Sequence, residues 1–143
     1  MYNPEIHHRK SLRKQGYDYS QAGLYFVTIC CQDRRHLFGK IENCEMQLND
    51  VGIIANQCWL DIVKHFPHVK LHEYIIMPDH VHGIIEITDK INLGVEYIQP
   101  LNLPPPRNEF QKIIPLSIGS IVKGFKIGVT KWFRVNGDQS KIW

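Results

Sequence analysis

Two runs of strand-forming residues, Val69 to Met77 and His80 to Thr88, are joined only through Met77-Pro78-Asp79-His80. A parallel pair needs a crossover of a dozen or more residues, and this link leaves no room for one. The two runs must therefore pair antiparallel, and any fold for this chain has to be built around that ribbon. Upstream, Leu24-Tyr25-Phe26-Val27-Thr28-Ile29-Cys30 is β-branched and aromatic, as a central strand requires. His36 to Met46, around Gly39, reads as a short hairpin.

Two helices separate these runs from the rest. Asn49 or Asp50 caps the first, which runs to about Phe66 and is ended by Pro67. On a helical wheel Ile54, Ala55, Cys58, Trp59, Ile62, Val63 and Phe66 share one side, opposite Asn56, Gln57, Asp61 and Lys64. The second runs from Leu116 to Val135, with Ile118, Ile121, Val122, Phe125, Val129, Trp132 and Phe133 as its apolar face. Gly119, Gly124 and Gly128 each cost that helix about 1 kcal/mol relative to Ala, which makes sense where something packs closely. Asn136-Gly137-Asp138 stops it, and Lys141-Ile142-Trp143 begins a further apolar element.

The order is strand, helix, strand, strand, helix and the start of another element. That predicts an α+β fold, most of a ferredoxin-like β-α-β-β-α-β plait, with both helices on one face of an antiparallel sheet and the other face free. Its 143 residues suit a single domain, with a basic arm over 1–22 and a proline-rich loop over 89–115. No run of about 18 apolar residues and no apolar N-terminal segment is present, so the expectation is a cytoplasmic protein with no membrane partner. Cys30, Cys31, Cys44 and Cys58 have no metal or redox spacing and read as buried free thiols.

The candidate chemistry sits on the ribbon, in Met77-Pro78-Asp79-His80-Val81-His82-Gly83. Residues two apart in a strand point the same way, about 6.6 Å apart, so His80 and His82 share a face and their imidazoles can converge on one divalent metal. Glu86, on the same face, is a third ligand or a partner behind the ligands. Gly83 would leave space for a ligand backbone to approach. The alternative stays open: the pair is equally read as two ordinary strand histidines. His65, His68 and His72 read as surface or helix-end residues, and His7 and His8 as part of the arm.

The net charge of +3 excludes little, but its distribution is informative. Arg9, Lys10, Arg13 and Lys14 crowd the arm. Lys123, Lys131 and Arg134 form a stripe on the second helix, opposite its apolar face, next to Lys126 in sequence. Both sets suit phosphate contacts, or simply a solvated surface. No phosphate-binding glycine loop and no nucleophile elbow occurs.

Several stretches taken together resemble one family: Arg9-Lys10-Ser11-Leu12-Arg13, Tyr17-Asp18-Tyr19, Gly23 to Cys30, Leu37-Phe38-Gly39, Met77 to Ile85 and Ile121 to Lys126. The chain resembles the REP-associated tyrosine transposases of the HUH single-strand nuclease superfamily, relatives of the insertion sequence 200 type. That resemblance implies His80 and His82 as ligands of one Mg²⁺ or Mn²⁺, and single-stranded or hairpin DNA as substrate. It implies attack by a tyrosine hydroxyl on phosphorus, leaving a 5′-phosphotyrosine and a free 3′-OH that reverses the reaction on a new end.

The family nucleophile lies on a helix after an Ile-Trp-Gln-type segment, which Ile142-Trp143 begins. The expectation is therefore a C-terminally truncated transposase that binds metal weakly and DNA in a salt-dependent way without cleaving it, with no catalytic residue assigned. Two other readings stand beside it: a non-cleaving DNA-binding or regulatory module of the same fold, and a small hydrolase using His80, His82 and Glu86. A homodimer is a further expectation, since an unfinished sheet edge near Lys141 invites pairing.

Overall fold

The computed structural model describes residue 14 and residues 16–88, 114–137 and 141–143. The arm residues 1–13 and the stretch 89–113 lie outside that set. The elements are β1 (Gly23–Cys30), a 3₁₀ turn (Gln32–Arg34), β2 (Gly39–Glu42), β3 (Glu45–Leu48), α1 (Asp50–Leu60), α2 (Ile62–His65), β4 (Val69–Ile76), β5 (His80–Ile87) and α3 (Ile118–Val135). The fold is α+β, with two antiparallel sheets.

The main sheet has the order β1-β5-β4, so the ribbon predicted from the short link is present and its second strand is central. β1 pairs with β5 without a break, from Gly23 opposite Ile87 to Cys30 opposite His80. β4 pairs with β5 through a bulge between Leu71 and Tyr74. The expected hairpin is β2–β3, whose two-residue turn puts Asn43 and Cys44 at positive φ (52° and 64°).

Along β5 burial alternates strictly. Val81, Gly83, Ile85 and Ile87 are buried, and His80, His82, Ile84 and Glu86 are only partly so. The buried face meets Trp59 of α1, which in turn packs edge-on against Phe125 of α3 at 5.9 Å and stacks on Tyr74 at 5.7 Å. The helices thus cover one face of the sheet, and Ile121, Phe125, Val129 and Phe133 of α3 close the core. Asn49 caps α1 by accepting from the Gly52 amide at 2.9 Å, and Ser117 caps α3 through the Ser120 amide.

Several details differ from the sequence reading. The first helix breaks at Asp61 into α1 and α2, and Val63 turns out to solvent. Gly128 lies against Cys58, since a Cβ there would come within 2.9 Å of the Cys58 Sγ, which explains a glycine in that helix. Gly83 leaves no space for a ligand: it faces the core, and a Cβ would come within 2.2 Å of the Trp59 ring. His68 is buried at 1% exposure and bonds through Nε2 to the Leu116 carbonyl at 3.2 Å, so it is a core histidine and not a surface one. Cys31 is buried as expected, whereas Cys30 and Cys44 are exposed.

Replacing Gly83 by Ala should displace the Trp59 ring and destabilise the fold by about 1–3 kcal/mol, read as a lower urea midpoint. Burial pushes the Cys31 thiol up to about 11, with the Asp79 carboxylate adding to it, so at pH 8 it stays protonated and unreactive. A thiol reagent at that pH should label Cys30 and Cys44 quickly, and Cys31 and Cys58 only after unfolding.

Candidate functional site

β5 sets the site. Its outward positions carry His80 and His82, whose ring centroids lie 4.4 Å apart at an interplanar angle of 75°. Both rings point to the face opposite the helices, because Val81 and Gly83 between and beside them are held in the core.

Each ring is held by its Nδ1. On His82, Nδ1 lies 2.8 Å from the Thr28 hydroxyl, and Thr28 is its direct partner across the β1–β5 register. On His80, Nδ1 donates to Asp79 Oδ1 at 2.5 Å. The hydrogen bond from His80, together with the charges of His80 and Arg34, holds the Asp79 carboxyl below the usual carboxylate range. Arg34 reaches the other oxygen of that carboxylate at 3.5 Å. Asp79 is thus an anion at neutral pH, and its demand for a proton fixes Nδ1 of His80 as the protonated nitrogen. The Nε2 atoms are the nitrogens left for a ligand, on two rings aimed from neighbouring positions. Such an arrangement suits a divalent cation or the oxygens of a phosphate.

Thr28 and Asp79 are the partners of the imidazole pair that the sequence reading missed. Asp79 adjoins His80 in the chain, and a ligating histidine needs a partner for its second nitrogen, so that signal was available. Thr28 becomes visible only through the strand register.

The structure does not bring Glu86 to the pair. It lies four residues from His82, about 13 Å along the strand, and accepts from His72 Nε2 on β4 at 2.7 Å. Among the described residues no group of three His, Cys, Asp or Glu side chains is arranged to hold a metal ion. Two imidazoles are therefore the donor set these residues offer.

The candidate phosphate-contacting residues fall elsewhere. Arg9, Lys10 and Arg13 lie outside the described residues. Lys14 is exposed, with its amide bonded to the Tyr19 hydroxyl and its ammonium 6.0 Å from the Tyr17 ring. Lys123, Lys131 and Arg134 do come together, along a surface groove of about 750 Å³ on α3 that Trp143 helps to line. Lys126 lies over the Trp143 ring at 5.1 Å. The sheet separates α3 from the histidine face, so a single phosphate cannot touch both.

The described tyrosines are occupied away from the histidines. Tyr74 donates to Asn56 at 2.9 Å, and Tyr25 donates to the Gln21 carbonyl at 2.8 Å. Burial and the neighbouring Tyr17 push the Tyr25 hydroxyl up to about 12, which leaves it a poor nucleophile.

Compared with known proteins, the chain is 45% identical over 146 residues to a Haemophilus influenzae protein described as an uncharacterized protein. The match covers 99% of this chain and 77% of that relative. The chain belongs to the same family as this Haemophilus protein. The matched region takes in β5, α3 and nearly everything else in this chain. No family profile matches it. Among the described residues no helix is long and apolar enough to cross a membrane.

The Asp79 contact makes a specific spectroscopic prediction. Nitrogen–proton correlation spectra at pH 8 should find the His80 proton on Nδ1. In Asp79→Asn the ring should lose that fixed tautomer while the amide spectrum stays dispersed.

Proposed function

We propose that this chain is the catalytic fold of a metal-assisted, single-stranded DNA cleaving and joining protein of the transposase type. The observation that carries the reading is the pair of imidazoles on the open sheet face, each with Nδ1 held and Nε2 left for a ligand. The overall architecture agrees with it. Strand order β1-β5-β4, with the helices on one face, is compatible with three strands of a ferredoxin-like plait. The Ile142 carbonyl accepts from the Gln32 amide at 2.6 Å, so the segment after α3 runs beside the end of β1, where a fourth strand would lie.

The donor set fits one divalent cation of the Mn²⁺ or Mg²⁺ kind only in part. Two nitrogens suit Mn²⁺ better than Mg²⁺, which prefers oxygen, and DNA oxygens and water would complete the shell. His80 and His82 would hold the ion, with Asp79 and Thr28 fixing their rings. When bound, the ion supplies Lewis-acid stabilisation of charge on the scissile phosphate. What the residues themselves do is orient: Asp79 keeps the His80 proton on Nδ1, and Thr28 anchors His82 across the strand pair.

The chemistry is attack of a hydroxyl on phosphorus, forming one oxygen–phosphorus bond as the bond to the 3′ oxygen breaks and that oxygen leaves as a free 3′-OH. The Tyr25 and Tyr74 hydroxyls donate to Gln21 and Asn56 and not towards the imidazole pair, and a second reading stands beside the first: a module of the same fold that binds DNA without cutting it. The cationic groove of α3 supports DNA binding in either case, and the cytoplasm is the proposed compartment. A dimer paired through the edge near Lys141 is also compatible with the open end of the sheet.

Calorimetric titration with Mn²⁺ tests the reading. Binding should occur in the parent, vanish in His80→Ala and His82→Ala, and weaken about 10- to 100-fold in Asp79→Asn. Unchanged Mn²⁺ binding in both alanine variants would remove the metal site. A hairpin-bearing single strand then separates the two functional readings: a covalent protein–DNA adduct selects cleavage, and binding without adduct selects the module. Replacing Lys123 and Lys131 by Ala should weaken binding to all sequences and reduce its salt slope by about 1.4–1.8.

A further inference from the structure

Beside the histidines the open sheet face carries a second feature that the metal reading does not use. Phe26 is 69% exposed, and its ring stacks on the His82 ring at 5.3 Å with an interplanar angle of 26°. It sits on β1 opposite Ile84, one side-chain step, about 6.6 Å, from Thr28. Phe26, Ile84, Ile75 and His82 bound a shallow pocket of about 260 Å³, which Glu73 also lines. Nothing in the core needs Phe26, since its strand neighbours Val27 and Ile29 supply the buried face of β1.

We propose that Phe26 and His82 form a stacking platform for one base of single-stranded DNA, which seats the adjoining phosphate at the imidazole pair. The inference rests on the DNA reading above and adds to it the element that grips the strand. Three observations favour a base as the occupant. A flat apolar ring, already parallel to an imidazole and open to solvent, matches the π-face that every base offers. The surrounding pocket is apolar at Ile75 and Ile84, so it rewards burial of a ring and offers nothing to a free phosphate. The charged groups are ordered along the strands: Glu73 lines the pocket from β4, past Ile75 and Tyr74, and disfavours a phosphate there, while His80 lies at the opposite end of the run, where Arg34 offsets the Asp79 carboxylate. Sequence tolerance follows, because stacking reads no base edge.

A single-stranded DNA 12-mer carrying 2-aminopurine tests the platform, with the whole 143-residue chain in EDTA so that no metal takes part. The parent should bind and quench the probe. Phe26→Ala should bind about tenfold more weakly and lose the quenching, whereas Phe26→Tyr should keep both. Leu24→Ala, another exposed apolar residue on the same strand face, should behave as the parent. Because Phe26 is exposed, its replacement leaves the circular dichroism and urea midpoint unchanged. Parent-like affinity and quenching in Phe26→Ala overturn the proposal, as does a parent whose face is covered by a second copy, seen as a dimer that only Phe26→Ala dissociates. Mn²⁺ binding at the histidines without quenching sinks the platform and leaves the metal reading standing; quenching without Mn²⁺ binding does the reverse.

Discussion

The structure depends on the alternation of β5. One strand, flanked on both edges, turns Val81, Gly83, Ile85 and Ile87 into the core and His80, His82, Ile84 and Glu86 away from it. Because the side-chain period of a strand is two, these sets cannot mix without a slip that would drive imidazoles into the core. The contact that enforces the register is Trp59 on Gly83, where a fully buried indole takes the space a side chain would have filled. A slip by one residue would present His82 or Ile84 to that ring.

From this follows a division of labour between the two faces. The inner face is a packing surface, held by α1 and α3 through Trp59 and Phe125. Among the described residues the outer face carries no helix, and three of its polar pairs bond to each other: Thr28 with His82, Asp79 with His80, His72 with Glu86. Two of these contacts hold an imidazole by one nitrogen and leave the other, whereas the third ties up Glu86. The same chemistry, a histidine beside an oxygen, thus builds a site at one end of β5 and closes a candidate ligand at the other.

Much of the fold was legible because its signals are local. The short link at Pro78–Asp79 dictated antiparallel pairing, helix periodicity marked α3, and the Asn49-Asp50 pair announced the start of α1, the structure choosing Asn49 as its cap. The break at Asp61, the burial of His68 and the inward direction of Gly83 were not legible. The last two depend on a neighbour distant in sequence: Trp59 for Gly83, and Leu116 for His68 across 48 positions. The shared face of His80 and His82 was legible from spacing. Their partner Thr28, 54 residues away from His82, was not.

The sequence by itself determined the element types, the antiparallel ribbon and the common direction of two imidazoles, because periodicity and connection length act over a few residues. Only the tertiary structure decided which strand lies in the middle, which nitrogen of each ring is held, and that Glu86 goes to His72 instead. It also decided that Phe26 stacks on His82 in the open and that the cations of α3 lie across the sheet from the histidines. These are outcomes of pairing between remote segments, and pairing is settled by which faces can be buried together, a quantity no single segment contains.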